Sequence, residues 1–222
     1  MGVIKTKNLF ECGVSYLKEL FENSVYPWDI PPVIHEYITE LTACGLYGFK
    51  EIEEGIFVGE GAVIDSSARI IAPCVIGPNT EIRPGAYLRG NVITGRGCVI
   101  GNSSELKNCV LLDRVQLPHY NYVGDSVLGN GCHMGAGSIC SNLKSDGKAV
   151  VVHADRDYET GLRKLGALLG DGVDIGSGCV LNPGTVIGKR TSVYPLVALR
   201  GVYPENSIVK QKDLVVKRES FD

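Results

Sequence analysis

The chain has 222 residues, and its 22 lysines and arginines against 25 aspartates and glutamates give a formal net charge of −3 at pH 7. This balance argues against a broad nucleic-acid-binding face, and the sequence has no run of about 18 apolar residues that would span a membrane. Glycine is abundant at 28 residues while only 7% of residues are aromatic, which favours a backbone that turns often around small aliphatic side chains. The first residues lack the uninterrupted apolar stretch of a secretion signal. We therefore expect a cytoplasmic protein that binds neither nucleic acid nor membrane.

Residues 1–55 are predicted to form a helical segment. A first helix is indicated by apolar residues at helical spacing, namely Phe10, Val14, Leu17 and Phe21. A second helix is predicted to open at Pro31, because proline is favoured in the first turn, and to end before Gly45. We expect this helical pair to cap the open end of the repeat structure that follows. The alternative is that it binds a partner protein.

Residues 56–210 carry a six-residue repeat. A large apolar residue returns at every sixth position, with Thr94 as the exception, in two long runs: Val58, Ile64, Ile70, Ile76, Ile82, Leu88, Ile100 and Leu106, then Leu169, Ile175, Leu181, Ile187, Val193 and Leu199. The residue four positions later is small or β-branched, and the residue directly after the apolar one is often glycine.

A period of six fits neither an α-helix nor a single strand. It fits short strand–turn units, three to a coil, whose stacked coils bury a continuous aliphatic column. The predicted fold class is therefore an all-β solenoid preceded by a short helical appendage. Glycine is expected at the corners because it tolerates positive φ angles.

The eight cysteines follow this repeat rather than the CxxC spacing of zinc or redox sites. Cys74, Cys98, Cys132 and Cys179 occupy the small inward position and are predicted to be small buried hydrophobes. Cys140 is the one candidate for a reactive thiol, because it lies near the segments that depart from the plain repeat.

The repeat is interrupted at about residues 143–168 and ends near residue 210. The interruption is charged but has an apolar run from Ala149 to Val152, and we predict that it leaves one edge of the coil as a short hairpin. Long excursions from a rigid scaffold often carry function. Residues 211–222 are predicted to form a polar, partly mobile tail.

Three segments depart from the plain repeat: residues 83–88 (RPGAYL), 101–107 (GNSSELK) and 118–143 (PHYNYVGDSVLGNGCHMGAGSICSNL). Because eighteen residues make one coil, Arg89, Lys107 and Asp125 are expected to line up along one edge. In their order, the RPGA, ELK, HYNYVGD and GAGSICSN blocks resemble the acetyltransferase half of the bifunctional UDP-N-acetylglucosamine pyrophosphorylase/glucosamine-1-phosphate acetyltransferase family. They also resemble the hexapeptide-repeat tails of related sugar-phosphate nucleotidyltransferases. The resemblance covers residues 57–210.

The resemblance implies a left-handed parallel β-helix that forms homotrimers with an active site in a cleft between subunits. It implies an N-acetyltransferase that uses acetyl-CoA as co-substrate and acts on an amino-sugar 1-phosphate. His119 matches the general base that removes a proton from the sugar's amino group, a task that suits an imidazole near neutral pH. Glu105 matches the carboxylate that orients this histidine, and the Ala136 backbone N–H matches the oxyanion donor.

The resemblance also assigns binding positions. Arg83 and Lys107 match the groups that hold the sugar phosphate, and a guanidinium and an ammonium suit a phosphate dianion. Tyr122 and Asn142 match sugar-contacting positions, and Lys148 matches a position near the substrate. The positions near coenzyme A are Ala136, Ser177 and Pro195.

Two other functions remain open. The first is a non-catalytic trimeric scaffold or regulatory partner of a separate sugar-phosphate nucleotidyltransferase, suggested by the helical segment. The second is a zinc carbonic anhydrase on the same coil, which needs three histidines from neighbouring coils, whereas His35 lies off the coil and leaves only His119, His133 and His153. We favour the acetyltransferase and predict no metal site. We also predict no nucleotidyl transfer, because residues 1–55 are too few for an α/β nucleotide-binding domain.

Overall fold

The computed structural model describes residues 4–43 and 45–218. From residue 49 to residue 217 the chain winds as a three-sided prism, in which successive strands are added in turn to three sheets that we call faces A, B and C. Strands eighteen residues apart pair in parallel, as Ile56 pairs with Cys74 on face A and Leu88 pairs with Leu106 on face C. The predicted all-β solenoid, a left-handed parallel β-helix, is confirmed.

Each strand is short because it forms only one side of a triangular coil. Face A contains β1 (Phe49–Glu53), β2 (Ile56–Gly59), β5 (Cys74–Ile76), β8 (Val92–Thr94), β11 (Cys109–Leu111), β14 (Val127–Leu128), β19 (Ala167–Leu169), β22 (Thr185–Ile187) and β25 (Val202–Tyr203). Face B contains β3 (Val63–Ile64), β6 (Glu81–Ile82), β9 (Val99–Asn102), β12 (Gln116–His119), β15 (His133–Met134), β20 (Asp174–Ile175), β23 (Ser192–Val193), β26 (Ser207–Gln211) and β27 (Leu214–Lys217).

Face C completes the prism and carries much of the candidate site. It contains β4 (Arg69–Ile71), β7 (Tyr87–Arg89), β10 (Glu105–Lys107), β13 (Tyr122–Gly124), β16 (Ile139–Cys140), β21 (Val180–Leu181) and β24 (Ala198–Leu199). We call the turns between faces the A–B, B–C and C–A corners. The coils repeat these corners, so residues one coil apart lie above one another.

The interior is a column of mainly aliphatic side chains and cysteines, because the large and the small position of each repeat both point inward. Cys74, Cys98, Cys132 and Cys179 are fully buried, as predicted. Burial raises the pKa of the Cys98 and Cys132 thiols to about 12. Thr94 interrupts the apolar series without an unpaired polar atom, since its hydroxyl accepts the Gly77 N–H at 2.8 Å.

The glycines that directly follow the large apolar residue do not have the positive φ angles that we expected. These are Gly59, Gly77, Gly95, Gly101, Gly129, Gly135, Gly176 and Gly188. Positive φ occurs two positions later, as at Gly97 with a φ of 63°. A Cβ on Gly101 would lie 1.7 Å from the carbonyl oxygen of Pro118 in the next coil. Glycine is therefore required at these positions because the neighbouring coil's backbone passes directly against the Cα.

The helical segment lies on face A and does not cap the end of the solenoid, so the predicted end cap is wrong. The outward side chains of face A are apolar and need cover: Val75, Ile93, Val110, Val127, Leu168 and Val186. Side chains of the helical segment, such as Leu17, Ile30 and Ile34, are buried in the same cluster as these face A side chains. We call residues 4–43 the N-terminal layer. The first coil is covered instead by β1, which pairs antiparallel with β2 and starts inside the region predicted as helical.

The N-terminal layer contains three short α-helices and three 3-10 turns: α1 (Thr6–Leu9), Ser15–Leu17, α2 (Lys18–Asn23), Pro27–Asp29, Pro31–Val33 and α3 (Ile34–Thr42). The second predicted helix is present, but the first is broken at residues 10–14. In this stretch, hydrogen bonds to the A–B corner take the place of a continuous helix. Glu11 N–H donates to the Asp171 carboxylate at 2.8 Å, and Asp171 N–H donates to the Leu9 carbonyl at 3.0 Å. Phe10 and Val14 are nevertheless buried.

The excursion forms the predicted hairpin, whose antiparallel strands are β17 (Val151–His153) and β18 (Asp157–Glu159). Val150 and Val152 are fully buried in the same cluster as the N-terminal layer. Tyr26 and Trp28 stack with their ring centroids 4.7 Å apart, and both rings contact Tyr158 of the hairpin. The N-terminal layer and the excursion therefore make one continuous apolar layer.

The predicted carboxy-terminal tail is ordered over most of its described length. Strand β27 pairs antiparallel with β26 and places Val215 opposite Val209. This pairing covers the last open coil, which explains why residues 214–217 do not form the mobile tail that we expected. Residues 219–222 lie outside the described residues. No helix in the described part of the chain is long and apolar enough to cross a membrane.

Candidate active site

The B–C corner brings His119, Ala136, Ser177 and Pro195 together in four successive coils. Three hydrogen bonds between backbone groups stack these turns: Gly137 N–H to the His119 carbonyl (3.0 Å), Gly178 N–H to the Ala136 carbonyl (2.9 Å) and Leu196 N–H to the Ser177 carbonyl (2.9 Å). The predicted general base, oxyanion donor and coenzyme A positions thus form one continuous ridge. This alignment follows from the coil period, although Ser177 is separated from Ala136 by the whole excursion.

His119 and Ala136 both present free polar groups on this ridge. His119 is the last residue of β12, and its imidazole is exposed and hydrogen-bonds to no described residue. Ala136 is exposed in the turn of the next coil, and its N–H donates to no described acceptor. A proton acceptor and a hydrogen-bond donor therefore lie on adjacent coils at the same corner.

Asn121 supports this corner and was missed by the sequence analysis. It is only 2% exposed and occupies the small inward position, four residues after Leu117. Its Oδ1 accepts the His119 N–H at 3.2 Å, and its Nδ2 donates to the Gly135 carbonyl at 2.9 Å. The signal in the sequence was an asparagine at a position that otherwise holds small or β-branched residues, since a buried amide requires partners.

Glu105 lies on face C and does not orient His119 within one chain. Its carboxylate accepts a hydrogen bond from Arg89 Nη1 at 2.6 Å, and no hydrogen bond joins Glu105 to His119 in the described residues. Arg83, at the end of β6 and beside the B–C corner, pairs with Glu81 at 3.0 Å. Both pairs are about half exposed, so water screens them and each contributes little to stability.

Lys107, Tyr122 and Asn142 come together at the far edge of face C, toward the C–A corner. Lys107 Nζ lies 3.3 Å from Asp125 Oδ1, as the predicted alignment implied. The Tyr122 hydroxyl and the Asn142 amide converge above Gly124, where a Cβ would lie 2.5 Å from the hydroxyl oxygen and 2.7 Å from the amide nitrogen. Burial raises the pKa of Tyr122, and the charge of the Asp125 carboxylate adds to this effect.

Lys148 lies in the excursion, six residues after Asn142. Its side chain is exposed, and its backbone N–H donates to the Asp146 carboxylate at 3.1 Å. Lys148 therefore lies in the part of the excursion that directly follows the far edge of face C, with its ammonium accessible to solvent.

Cys140 is not a reactive thiol, so that prediction is wrong. It occupies the large inward position, opposite Val123 and Leu181 on face C, and is fully buried. Burial raises its pKa to about 12. The thiolate is the reactive form, and the apolar column suppresses it.

The described residues contain no group of three or more His, Cys, Asp or Glu side chains arranged to hold a metal ion. His133 bonds to Asp174 and His153 bonds to Asp157, each at 2.8 Å. The zinc alternative therefore lacks a ligand set in this part of the chain.

Comparison with known proteins shows what the repeat is similar to. Residues 60–157 match the GMPPB C-terminal domain family. The "Bifunctional protein GlmU" of Methanococcus maripaludis is 32% identical over 217 residues, which cover 95% of this chain and 53% of that protein. The "Bifunctional sugar-1-phosphate nucleotidylyltransferase/acetyltransferase" of Sulfurisphaera tokodaii is 35% identical over 174 residues, or 76% of this chain and 43% of that protein.

One similar solved structure is that of a variant of AntD, an N-acyltransferase from Bacillus cereus, in complex with dTDP and coenzyme A. Its TM-score with this chain is 0.43 at 18% sequence identity, and the match covers 78% of this chain and 91% of that one. The chain spans about half the length of the curated relatives that it matches. The family resemblance inferred from the sequence is thus confirmed: nearly the whole chain is similar to part of the bifunctional sugar-1-phosphate nucleotidylyltransferase/acetyltransferases, and its central repeats match the GMPPB C-terminal domain.

Proposed function

We propose that this chain is an acetyl-CoA-dependent N-acetyltransferase that acts on an amino-sugar 1-phosphate. The observation that carries the proposal is the ridge at the B–C corner. There, an exposed imidazole lies one coil from an exposed backbone N–H, and neither group bonds to another residue in the part of the chain that the structure describes. Acyl transfer to an amine needs these two groups, a proton acceptor and an oxyanion donor.

In the proposed reaction the neutral amino group of the sugar attacks the carbonyl carbon of the thioester. A C–N bond forms while a proton passes from the nitrogen to the His119 imidazole. The Ala136 N–H stabilises the negative charge on the carbonyl oxygen, an effect worth about 10²–10³ in rate. The C–S bond then breaks, and the leaving coenzyme A thiolate takes the proton from the imidazolium.

The positions of the proposed substrate contacts support a site shared between subunits. Lys107 and Asn142 lie at the edge of face C opposite the B–C corner that carries His119. One substrate molecule that contacts both edges is best accommodated where the corner of one copy meets the face of another. A homotrimer is therefore part of this proposal, as are Arg83, Lys107, Tyr122, Asn142 and Lys148 as substrate contacts.

The experiment uses the purified protein with acetyl-CoA and either glucosamine 1-phosphate or galactosamine 1-phosphate, with mass spectrometry of the sugar products. We expect a product heavier by one acetyl group. His119→Ala is expected to lower kcat by about 10²–10⁴, the usual contribution of a general base. His133→Ala is the matched control, because this histidine lies one coil away on face B and is paired with Asp174. Unchanged turnover in His119→Ala contradicts the proposal.

The scaffold alternative rested on the helical segment as a partner-binding element. The apolar side chains of that segment are buried against face A of the same chain, so the observation that motivated the alternative has another explanation. Absence of acetylated product with either sugar, together with a stable complex with a nucleotidyltransferase in a pull-down, would favour the scaffold.

A further inference from the structure

Asp125 is a buried carboxylate on which three side chains from two other segments converge. Its side chain is 6% exposed and lies at the C–A corner, where its backbone has a φ of 47°. Lys107 Nζ lies 3.3 Å and 3.5 Å from its two oxygens, Asn108 Nδ2 donates to Oδ1 at 2.9 Å, and Asn142 Nδ2 donates to Oδ2. A buried charge is costly unless it is paired and hydrogen-bonded, and here every partner comes from another segment.

Two of these partners are proposed substrate contacts. The distances from Lys107 are longer than the 2.7–2.9 Å typical of charge-assisted bonds, so the ammonium is held loosely and keeps donors for a ligand. Lys107 remains partly exposed, with 27% of its side chain accessible. The Asn142 amide is fixed more tightly, because a carboxylate accepts only from the NH₂ end and thereby decides which way the amide faces.

Asn108 joins this cluster to the N-terminal layer. Its Nδ2 donates both to Asp125 Oδ1 at 2.9 Å and to the Pro31 carbonyl at 3.1 Å. The backbone of Asp125 is also anchored, since its N–H donates to the Lys107 carbonyl at 3.0 Å and its carbonyl accepts the Gly166 N–H at 2.8 Å. Asp125 is therefore connected through its side chain and its backbone to the coil, the excursion and the N-terminal layer.

We propose that Asp125 is a positioning residue that sets the direction of the Asn142 amide and the place of the Lys107 ammonium for the sugar phosphate. This inference rests on the proposed function for its substrate and deepens it. Two effects of the carboxylate oppose each other: its negative charge competes with the phosphate for Lys107, and its geometry orders Lys107 and Asn142. Positioning is the larger effect, so neutralising Asp125 raises KM, whereas a carboxylate that only competes would lower KM when neutralised.

Asp113 provides a matched control on the opposite side of the same solenoid. It is also a buried aspartate, with its side chain 5% exposed. It accepts hydrogen bonds from the Arg96 guanidinium at 3.0 Å and 2.6 Å and from the Arg96 backbone N–H at 2.7 Å. It lies at the A–B corner, away from Lys107 and Asn142. Loss of its charge removes a buried carboxylate's ion pair with the exposed Arg96 without touching the proposed substrate contacts.

The test compares the wild type, Asp125→Asn and Asp113→Asn in steady-state kinetics and in hydrogen–deuterium exchange. Asp125→Asn is expected to raise KM for the sugar phosphate by about 10-fold or more with little change in kcat, the pattern for lost ground-state binding. In a Lys107→Met background the same substitution has a smaller effect on KM, because it acts partly through that lysine. Asp113→Asn leaves KM unchanged. An unchanged or lowered KM in Asp125→Asn overturns the proposal.

Exchange separates this inference from the proposed function. Asp125→Asn is expected to speed amide exchange in residues 142–148 and 165–166, whereas Asp113→Asn leaves those segments unchanged. If the wild type acetylates neither sugar, the proposed function fails, and exchange alone then decides whether Asp125 orders the excursion. Equal exchange in the two variants overturns the inference in that case.

Discussion

Replacement of Gly101 by alanine tests why glycine follows the large apolar residue in so many repeats. The new Cβ would lie 1.7 Å from the Pro118 carbonyl oxygen, whereas real Cβ contacts stay beyond 3.0 Å. Two milder substitutions complete the series. A Cβ on Gly170 would lie 2.9 Å from the Lys189 nitrogen, and a Cβ on Gly13 would meet nothing within 4 Å. None of the three glycines has a positive φ, so Gly101 and Gly170 differ in the approach of the next coil, and Gly13, in the N-terminal layer, is the control without a close neighbour.

The contact distances set the expected magnitudes. Relief of the Gly101 overlap requires the two coils to separate locally by more than 1 Å, about the difference between 3.0 Å and 1.7 Å. Hydrogen bonds such as Tyr120 N–H to the Asn102 carbonyl, now 2.9 Å, would then exceed hydrogen-bonding distance. Loss of two such bonds, with their groups left unpaired, destabilises by about 2–6 kcal/mol. Gly170→Ala needs a shift of only a few tenths of an ångström and is expected to cost about 1 kcal/mol, as overpacking does.

Gly13→Ala is expected to stabilise by about 0.4–1 kcal/mol, because alanine restricts the unfolded chain and nothing opposes it in the folded one. The assay is urea unfolding followed by far-ultraviolet circular dichroism for the solenoid and by the fluorescence of Trp28, the single tryptophan, for the N-terminal layer. From highest to lowest free energy of unfolding, the expected order is Gly13→Ala, wild type, Gly170→Ala and Gly101→Ala. Equal stability of the Gly101 and Gly13 variants would refute the explanation by close approach.

Three further predictions concern other parts of the molecule. In the native protein, a thiol reagent at pH 8 should modify the partly exposed Cys12 and leave Cys140 intact, as peptide mass spectrometry after labelling would show; rapid labelling of Cys140 would contradict its burial. The Lys189 ammonium lowers the pKa of Glu11, so this pair stabilises the fold above the ordinary glutamate pKa of 4.5 and loses that effect as pH falls through the lowered value. The stability difference between wild type and Glu11→Gln should accordingly shrink below pH 4.5 in urea titrations, and a difference independent of pH would argue against the pairing. Trp28→Ala should destabilise the N-terminal layer by about 3–5 kcal/mol and speed hydrogen exchange in the excursion hairpin, while an unaffected hairpin would show that the aromatic contacts do not couple the two.

The fold was predictable because its signal is local and repeated. Each six-residue unit places one large and one small side chain inward, so the register of the whole column can be read from the sequence without knowledge of distant contacts. The burial of Cys98 and Cys132 follows from that register alone. The burial of Cys140 follows from the same register, because it occupies a large inward position in the repeat although it is close in sequence to the candidate site.

The candidate site was predictable only as a set of residues. The resemblance named His119 and Ala136, and the coil period explains why they meet at one corner. The partners of outward side chains depend on which coils adjoin and on what covers each face. Glu105 therefore bonds to Arg89 one coil away instead of to His119, and no local pattern in the sequence records that choice.

The sequence by itself determined the solenoid and its inward column, because both follow from the six-residue repeat. It also identified the candidate site residues, because they lie in short motif blocks whose order can be compared with a known family. The tertiary structure decided what lies on the outside. It placed the helices on face A, because that face is apolar and needs cover. It also paired Val127 with Leu168 across the excursion, an offset of 41 residues instead of the 18 between Ile56 and Cys74, and it brought Asn142 onto the buried carboxylate of Asp125. Contacts of this kind arise from packing between distant segments, and such packing produces no periodic pattern in the sequence from which it could be predicted.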